Sequence, residues 1–156
     1  MLFPAPSTCC SSFEFSLSRI ARCCCGALSA EAEGEPDAVV VCYCLECQRR
    51  TGSVFGAAAF FAAEAVQLSG ASEMYERSSD AGRNLTFHFC PRCGTTVWWK
   101  TERHPGKIAI AAGAFADPDF PRPSRSVFNR SRYSWVDLPH DIPAHIAGRD
   151  SKLQQR

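Results

Sequence analysis

Val41-Cys42-Tyr43-Cys44-Leu45-Glu46-Cys47-Gln48-Arg49-Arg50-Thr51-Gly52-Ser53 sets a C-x-C against a C-x-x-C, the two sharing Cys44. Thiolates this close can converge on one cation, each reaching a common point about 2.3 Å away. Disulfides among them are disfavoured, because bridged residues need Cα separations and Cβ directions that so tight a spacing rarely permits. Three cysteines supply three ligands, and zinc takes four. An open fourth position is what a catalytic zinc has and a structural zinc lacks. The stretch therefore predicts a working metal held by Cys42, Cys44 and Cys47.

Around it stand 156 residues with 46% apolar and 21% charged side chains, enough for one domain with a real core. A net charge of +1 gives no global case for nucleic acid or an anionic membrane. Ten cysteines raise the possibility of a secreted disulfide framework, but seven fall in C-x-C, C-x-C-x-x-C and C-x-x-C spacings that suit metal. A reducing compartment, the cytoplasm, is the expectation. Ala27-Leu28-Ser29-Ala30 imitates a signal-peptidase site, yet no charged segment opens the chain, and Arg19 and Arg22 interrupt any apolar core. No apolar run approaches the roughly 18 residues of a membrane span.

Along the chain the pattern is mainly β. Residues 1–12 are Pro- and Ser-rich without periodicity and read as a disordered leader, with Cys9 and Cys10 as bystanders. From Phe13, alternation of Phe13, Phe15 and Leu17 with polar residues predicts a strand, followed by a turn through Cys23-Cys24-Cys25-Gly26. Glu31 to Asp37 reads as an acidic loop. Ala38-Val39-Val40-Val41 reads as a buried strand delivering Cys42, and Cys44 to Arg50 as one short helix stopped by Gly52. Further strands are expected at Phe55–Phe61, Glu64–Leu68, Asn84–Phe89, Thr95–Lys100, Lys107–Ala112 and Ser126–Phe128, although the alanines of 53–69 also permit a helix there. The domain is expected to span 13–147, with a disordered tail over 148–156.

Cys90-Pro91-Arg92-Cys93-Gly94 lies between two strand patterns, the setting of a zinc knuckle; a redox C-x-x-C normally opens a helix. A knuckle needs two further ligands. Cys23 and Cys25 can supply them, since i and i+2 of an extended segment point the same way and Cys24 points away. This partition gives a closed site (Cys23, Cys25, Cys90, Cys93) and an open one (Cys42, Cys44, Cys47), hence two zinc ions. The alternative joins Cys90 and Cys93 to two members of the 42–47 group and leaves Cys23 and Cys25 spare.

With these residues laid out, the chain resembles the glutathione-dependent formaldehyde-activating enzyme family. The resemblance rests on Cys23-x-Cys25-Gly26-Ala27, Cys42-x-Cys44-x-x-Cys47-Gln48-Arg49, Thr51-Gly52-Ser53, Phe89-Cys90-x-x-Cys93-Gly94, Trp135 and Leu138-Pro139. It extends over about residues 13–143. It implies a β-tent of antiparallel sheets, a four-cysteine structural zinc and a three-cysteine catalytic zinc. The implied chemistry is a carbon–sulfur lyase or synthase reaction joining glutathione to formaldehyde as S-hydroxymethylglutathione. Tyr43 stands where the family commonly has histidine, and Cys24 is unusual between two ligands; neither departure removes a ligand.

Other candidates carry a plainer reading beside the functional one. Arg49 and Arg50 suit carboxylates of a glutathione-like thiol, but charged helix residues are more often just solvated. Gln48, beside a ligand, is a candidate for orienting sulfur or substrate. His88 reads as a surface residue, and His104, His140 and His145 have no partner spacing. Trp98 and Trp99 should face opposite ways, one into the core and one free to line a pocket. Arg122, Arg125, Arg130 and Arg132 with Phe128 and Tyr133 form the one basic, aromatic stretch, and the near-neutral chain argues against nucleic acid. Thiols add to formaldehyde unaided, so a second class stands beside the enzyme: a non-catalytic zinc-stabilised module binding protein or nucleic acid, as relatives such as centromere protein V suggest. A deep pocket with arginines at Cys42–Cys47 would favour the enzyme; a flat basic surface over 122–132 would favour the module.

Overall fold

The computed structural model of the protein describes residues 17–137 and 139–154. The expected leader with Cys9 and Cys10, the start of the strand expected from Phe13, Leu138 and the last two residues of the expected tail lie outside the described residues. The architecture is mainly β. A three-stranded antiparallel sheet holds β1 (Ser18–Arg22), β2 (Ser29–Glu33) and β5 (Val66–Ser69), in the order β1-β2-β5. A seven-stranded sheet holds β3 (Ala38–Cys42), β4 (Gly56–Ala62), β6 (Glu73–Ser78), β7 (Asn84–Phe89), β8 (Thr96–Thr101), β9 (Lys107–Ala111) and β10 (Arg125–Val127). Its order is β10-β3-β4-β9-β8-β7-β6. Among the described residues the one α-helix is α1 (Leu45–Thr51).

One apolar cluster joins the two sheets: Ala21, Ala30 and Ala32 from the small sheet meet Val39, Ala59, Phe61, Trp98 and Ile110 from the large one. The alanines of β2 are wholly buried and alternate with Ser29, Glu31 and Glu33. The acidic loop expected from Glu31 thus begins as a strand; alanine is too small and too indifferent to signal a half-buried strand against two glutamates. The strand expected at Glu64 starts later, after a 3₁₀ turn at Ala63–Ala65. Strand β6 escapes the period-two test altogether, because it is exposed along nearly its whole length as a charged sheet edge.

Strand β10 departs from the antiparallel expectation, pairing parallel to β3 with Arg125 beside Val40 and Val127 beside Cys42. Connectivity explains it: β9 runs parallel to β3 across β4, and β10 runs the same way, so the chain must return by a crossover. Residues 112–124 provide that crossover, close to the dozen residues a parallel connection needs. Beyond β10, Ala144 bridges Ser126 and Leu153 bridges His145, while the Gln154 N–H donates to the Ala144 carbonyl at 2.7 Å. As far as Gln154, the segment expected to be a disordered tail from Gly148 is therefore held by backbone pairing, which no composition rule reveals.

Both tryptophans of β8 are buried, each 6% exposed, because both faces of that strand are covered. Trp98 lies in the inter-sheet core and Trp99 packs with Phe87 and Ala109 on the other face. His88, expected at the surface, is half-buried: it pairs with Trp98, stacks on it at 3.5 Å between centroids, and shares a hydrogen bond with Ser72 Oγ at 3.0 Å. Among the described residues no helix is long and apolar enough to cross a membrane.

Candidate metal centre

Strand β3 ends at Cys42, Tyr43 is pinned by its N–H to the Val127 carbonyl at 3.0 Å, and Cys44 caps α1. The Cys44 sulfur accepts the Cys47 N–H at 3.3 Å, so the turn that starts the helix also gathers two sulfurs. The sulfurs of Cys42, Cys44 and Cys47 all lie within 4.8 Å of one another. Two sulfurs on a tetrahedral zinc stand about 3.8 Å apart, given bonds of about 2.3 Å. The donor set fits a metal, and all three residues are half-buried. The cluster ionises unevenly: contacts from the Cys42 and Cys47 thiols hold Cys44 well below the usual thiol range, while the Cys44 sulfur pushes Cys42 up. Gly56, paired with Cys42, makes room here; a Cβ would sit 3.2 Å from Arg50 Nη2 and 3.3 Å from Cys47 Cβ.

The second group comprises Cys23, Cys25, Cys90 and Cys93, again within 4.8 Å, with Cys23–Cys25 and Cys25–Cys90 sulfurs both 3.6 Å apart. It joins the β1–β2 loop of one sheet to the β7–β8 turn of the other. In that turn Gly94 N–H donates to Cys90 O at 2.8 Å and Cys90 N–H to Thr95 O at 3.0 Å, the closed loop of a knuckle. The Thr95 hydroxyl, 3.3 Å away, brings the Cys93 thiol down to about 5. Cys24 is exposed and outside the group. Each group can bind a metal ion, and the cysteines assort as the closed and open sets of the spacing argument.

The neighbouring side chains assort differently. Arg49 is exposed and pairs with Glu46 at 2.5 Å. Arg50 turns inward instead, its guanidinium 4.8 Å from the Trp99 ring and 5.0 Å from Phe87. Gln48 Nε2 donates to the Tyr43 carbonyl at 2.9 Å and the Ser131 carbonyl at 3.0 Å. No residue of α1 is fully buried, and a helix this short has little stability of its own, so this clasp holds it to the loop after β10. Gln48→Ala should cost about 1–3 kcal/mol through the two carbonyls it strands. Urea denaturation would measure it; a midpoint unchanged from the parent would show that water replaces the amide.

Cys42 and Cys47 also open onto a cleft of about 490 Å³ with apolar walls from Ala58, Phe60 and Trp99. Its rim carries Arg103, Lys107, Arg125, Arg130 and Arg149, with Asp37 and Asp80. The basic stretch 122–132 does not form one flat surface. Arg122 pairs with Asp141 at 2.5 Å, Arg132 donates to the Val136 carbonyl, and Arg125 and Arg130 face the cleft. Local patterning places Arg125 only within a basic stretch: the β10–β3 register sets it on the cysteine side of the sheet.

A model of the glutathione-dependent formaldehyde-activating enzyme family matches residues 18–131. No curated protein matches the chain. Among solved structures, a crystal structure of a Rhodobacter sphaeroides protein is 20% identical, with a TM-score of 0.48 over 61% of this chain and 85% of that one.

Proposed function

The chain belongs to the glutathione-dependent formaldehyde-activating enzyme family, and from that premise we propose that it is a zinc-dependent carbon–sulfur lyase or synthase acting on a glutathione-type thiol and a small aldehyde. In the synthetic direction the sulfur–carbon bond forms as the carbonyl π bond breaks, and the thiol proton ends on the new hydroxyl. Cys23, Cys25, Cys90 and Cys93 would hold a structural zinc; Cys42, Cys44 and Cys47 would hold a second with one position free. Bound there, zinc supplies one thing: it keeps a substrate thiol ionised near neutral pH. The chain's own part is to shape and dry the approach with Phe60 and Trp99 and to offer cations at the rim. Eight free cysteines among the described residues support a reducing compartment, the cytoplasm.

The observation that carries this reading is the cleft meeting the open cysteine group, with arginines on its rim. The rival reading, a zinc-stabilised binding module for protein or nucleic acid, calls for a flat basic surface over 122–132, and two of those four arginines face the cleft instead. Two measurements test the proposal. Protein purified without added metal should contain close to two zinc atoms per chain, by the ligand count of the two groups. Calorimetry should find glutathione bound with proton release, weakening as pH falls, and S-methylglutathione bound far less. Equal affinity for the two ligands would show that no metal recognises the sulfur.

A further inference from the structure

Three of the five cations on the cleft rim are answered by carboxylates. Lys107 pairs with Asp37 at 3.0 Å, Arg103 with Asp150 at 2.6 Å, and Arg130 with Asp80 at 3.7 Å. No carboxylate among the described residues lies within ion-pair distance of Arg125 or Arg149. Arg125 is odder still: its Nε is buried without any hydrogen-bond partner. A buried guanidinium donor left unmet is costly, so an acceptor entering the cleft there gains what the fold forgoes.

Placement follows from register. Arg125 lies beside Val40 and Val127 beside Cys42, and all four residues line the cleft. Arg125 is thus one strand across, about 4.8 Å, and two residues along, about 6.6 Å, from Cys42. Arg103, Lys107, Arg125 and Arg149 line the cleft together with His104, whose imidazole is held below its ordinary value by burial and then by the charges of Arg103, Arg149, Lys107 and Arg125. The wall behind them is braced. Phe128 takes a left-handed conformation (φ 58°), rare for a bulky residue, and its N–H donates to the Ala147 carbonyl at 2.8 Å. Buried Asn129 donates to Ser126 Oγ and to the His145 carbonyl, both at 2.9 Å.

We propose that Arg125 and Arg149 form an anion subsite of the cleft, selecting thiols that carry a carboxylate about one residue removed from the sulfur. The backbone offset of Arg125 from Cys42 is on the scale of one extended residue, about 3.5 Å, added to the reach of a cysteine side chain. The subsite rests on the thiol reading of the open cysteine group and goes beyond it, because a metal that binds sulfur is indifferent to a distant carboxylate.

The test uses the full zinc-loaded chain and three thiols: glutathione, its diethyl ester with both carboxylates masked, and 2-mercaptoethanol. Glutathione should bind the parent roughly tenfold to a hundredfold more tightly than the ester, the worth of one or two charge-assisted hydrogen bonds. Arg125→Gln should bring glutathione down to the ester's affinity, with 2-mercaptoethanol unchanged. Arg149 is exposed, so Arg149→Gln provides a second variant free of folding risk and should reduce the preference in part. Equal binding of glutathione and ester to the parent, or a full preference surviving both substitutions, overturns the subsite while leaving the thiol reading intact. Failure of all three thiols to bind overturns that reading and the subsite with it.

Discussion

Cys90→Ser should abolish the folded state, whereas Cys44→Ser should leave a folded chain with one metal fewer. Cys90 has no exposure and Cys23 only 4%, both within the cluster that joins the sheets. A metal on the closed group would tie residue 23 to residue 93 and clamp one sheet to the other. Structural zinc contributes about 10–16 kcal/mol in small zinc domains, against a typical net stability of about 5–15 kcal/mol. The open group lies within residues 42–47, so a metal held there would close a very short loop and remove little freedom from the unfolded chain. Circular dichroism and metal content, measured on both variants, separate the cases. Identical changes in the two would show that the groups do not differ in kind.

Gly70→Ala should lower stability by about 2–4 kcal/mol, from overpacking together with a φ that alanine resists. Gly70 follows β5 at φ 92°, and a Cβ there would lie 1.9 Å from the Ala27 carbonyl oxygen and 3.0 Å from Leu28 Cα. Neither atom can rotate away. Leu28 is 1% exposed and its N–H donates to the Cys23 sulfur at 3.2 Å, so the displaced loop is the one presenting Cys23 and Cys25. At this chain length the loss corresponds to a melting midpoint lower by roughly 4–16 °C. Thermal melts with metal analysis should find the closed group weakened and the open group intact. A midpoint equal to the parent's would show that the loop yields freely and that the close approach has no energetic consequence.

Much of the site was legible because cysteine chemistry is short-ranged. Cys42, Cys44 and Cys47 reach a common point from one strand end and one helical turn, and the knuckle at Cys90–Gly94 closes through its own backbone. Cys23-x-Cys25 needed a partner pair, and ligand counting named it. The side chains around the sulfurs were harder. Nothing local distinguishes Arg49, which pairs with Glu46 at the surface, from Arg50, which turns onto Phe87 and Trp99. Gln48 sits beside a ligand in sequence, yet its amide is taken up by two carbonyls, one of them 83 residues away.

By itself the sequence determined the β-rich class, the short helix between Cys44 and Gly52 and the grouping of seven cysteines, because alternation, capping and ligand spacing act within a few residues. Tertiary structure alone decided the parallel seat of β10, the return of the chain through Gln154, and the turning of Arg125 into a cleft beside Cys42. Strand pairing depends on partners distant in the chain. A shift of one residue in register would carry Arg125 to the opposite face of the sheet.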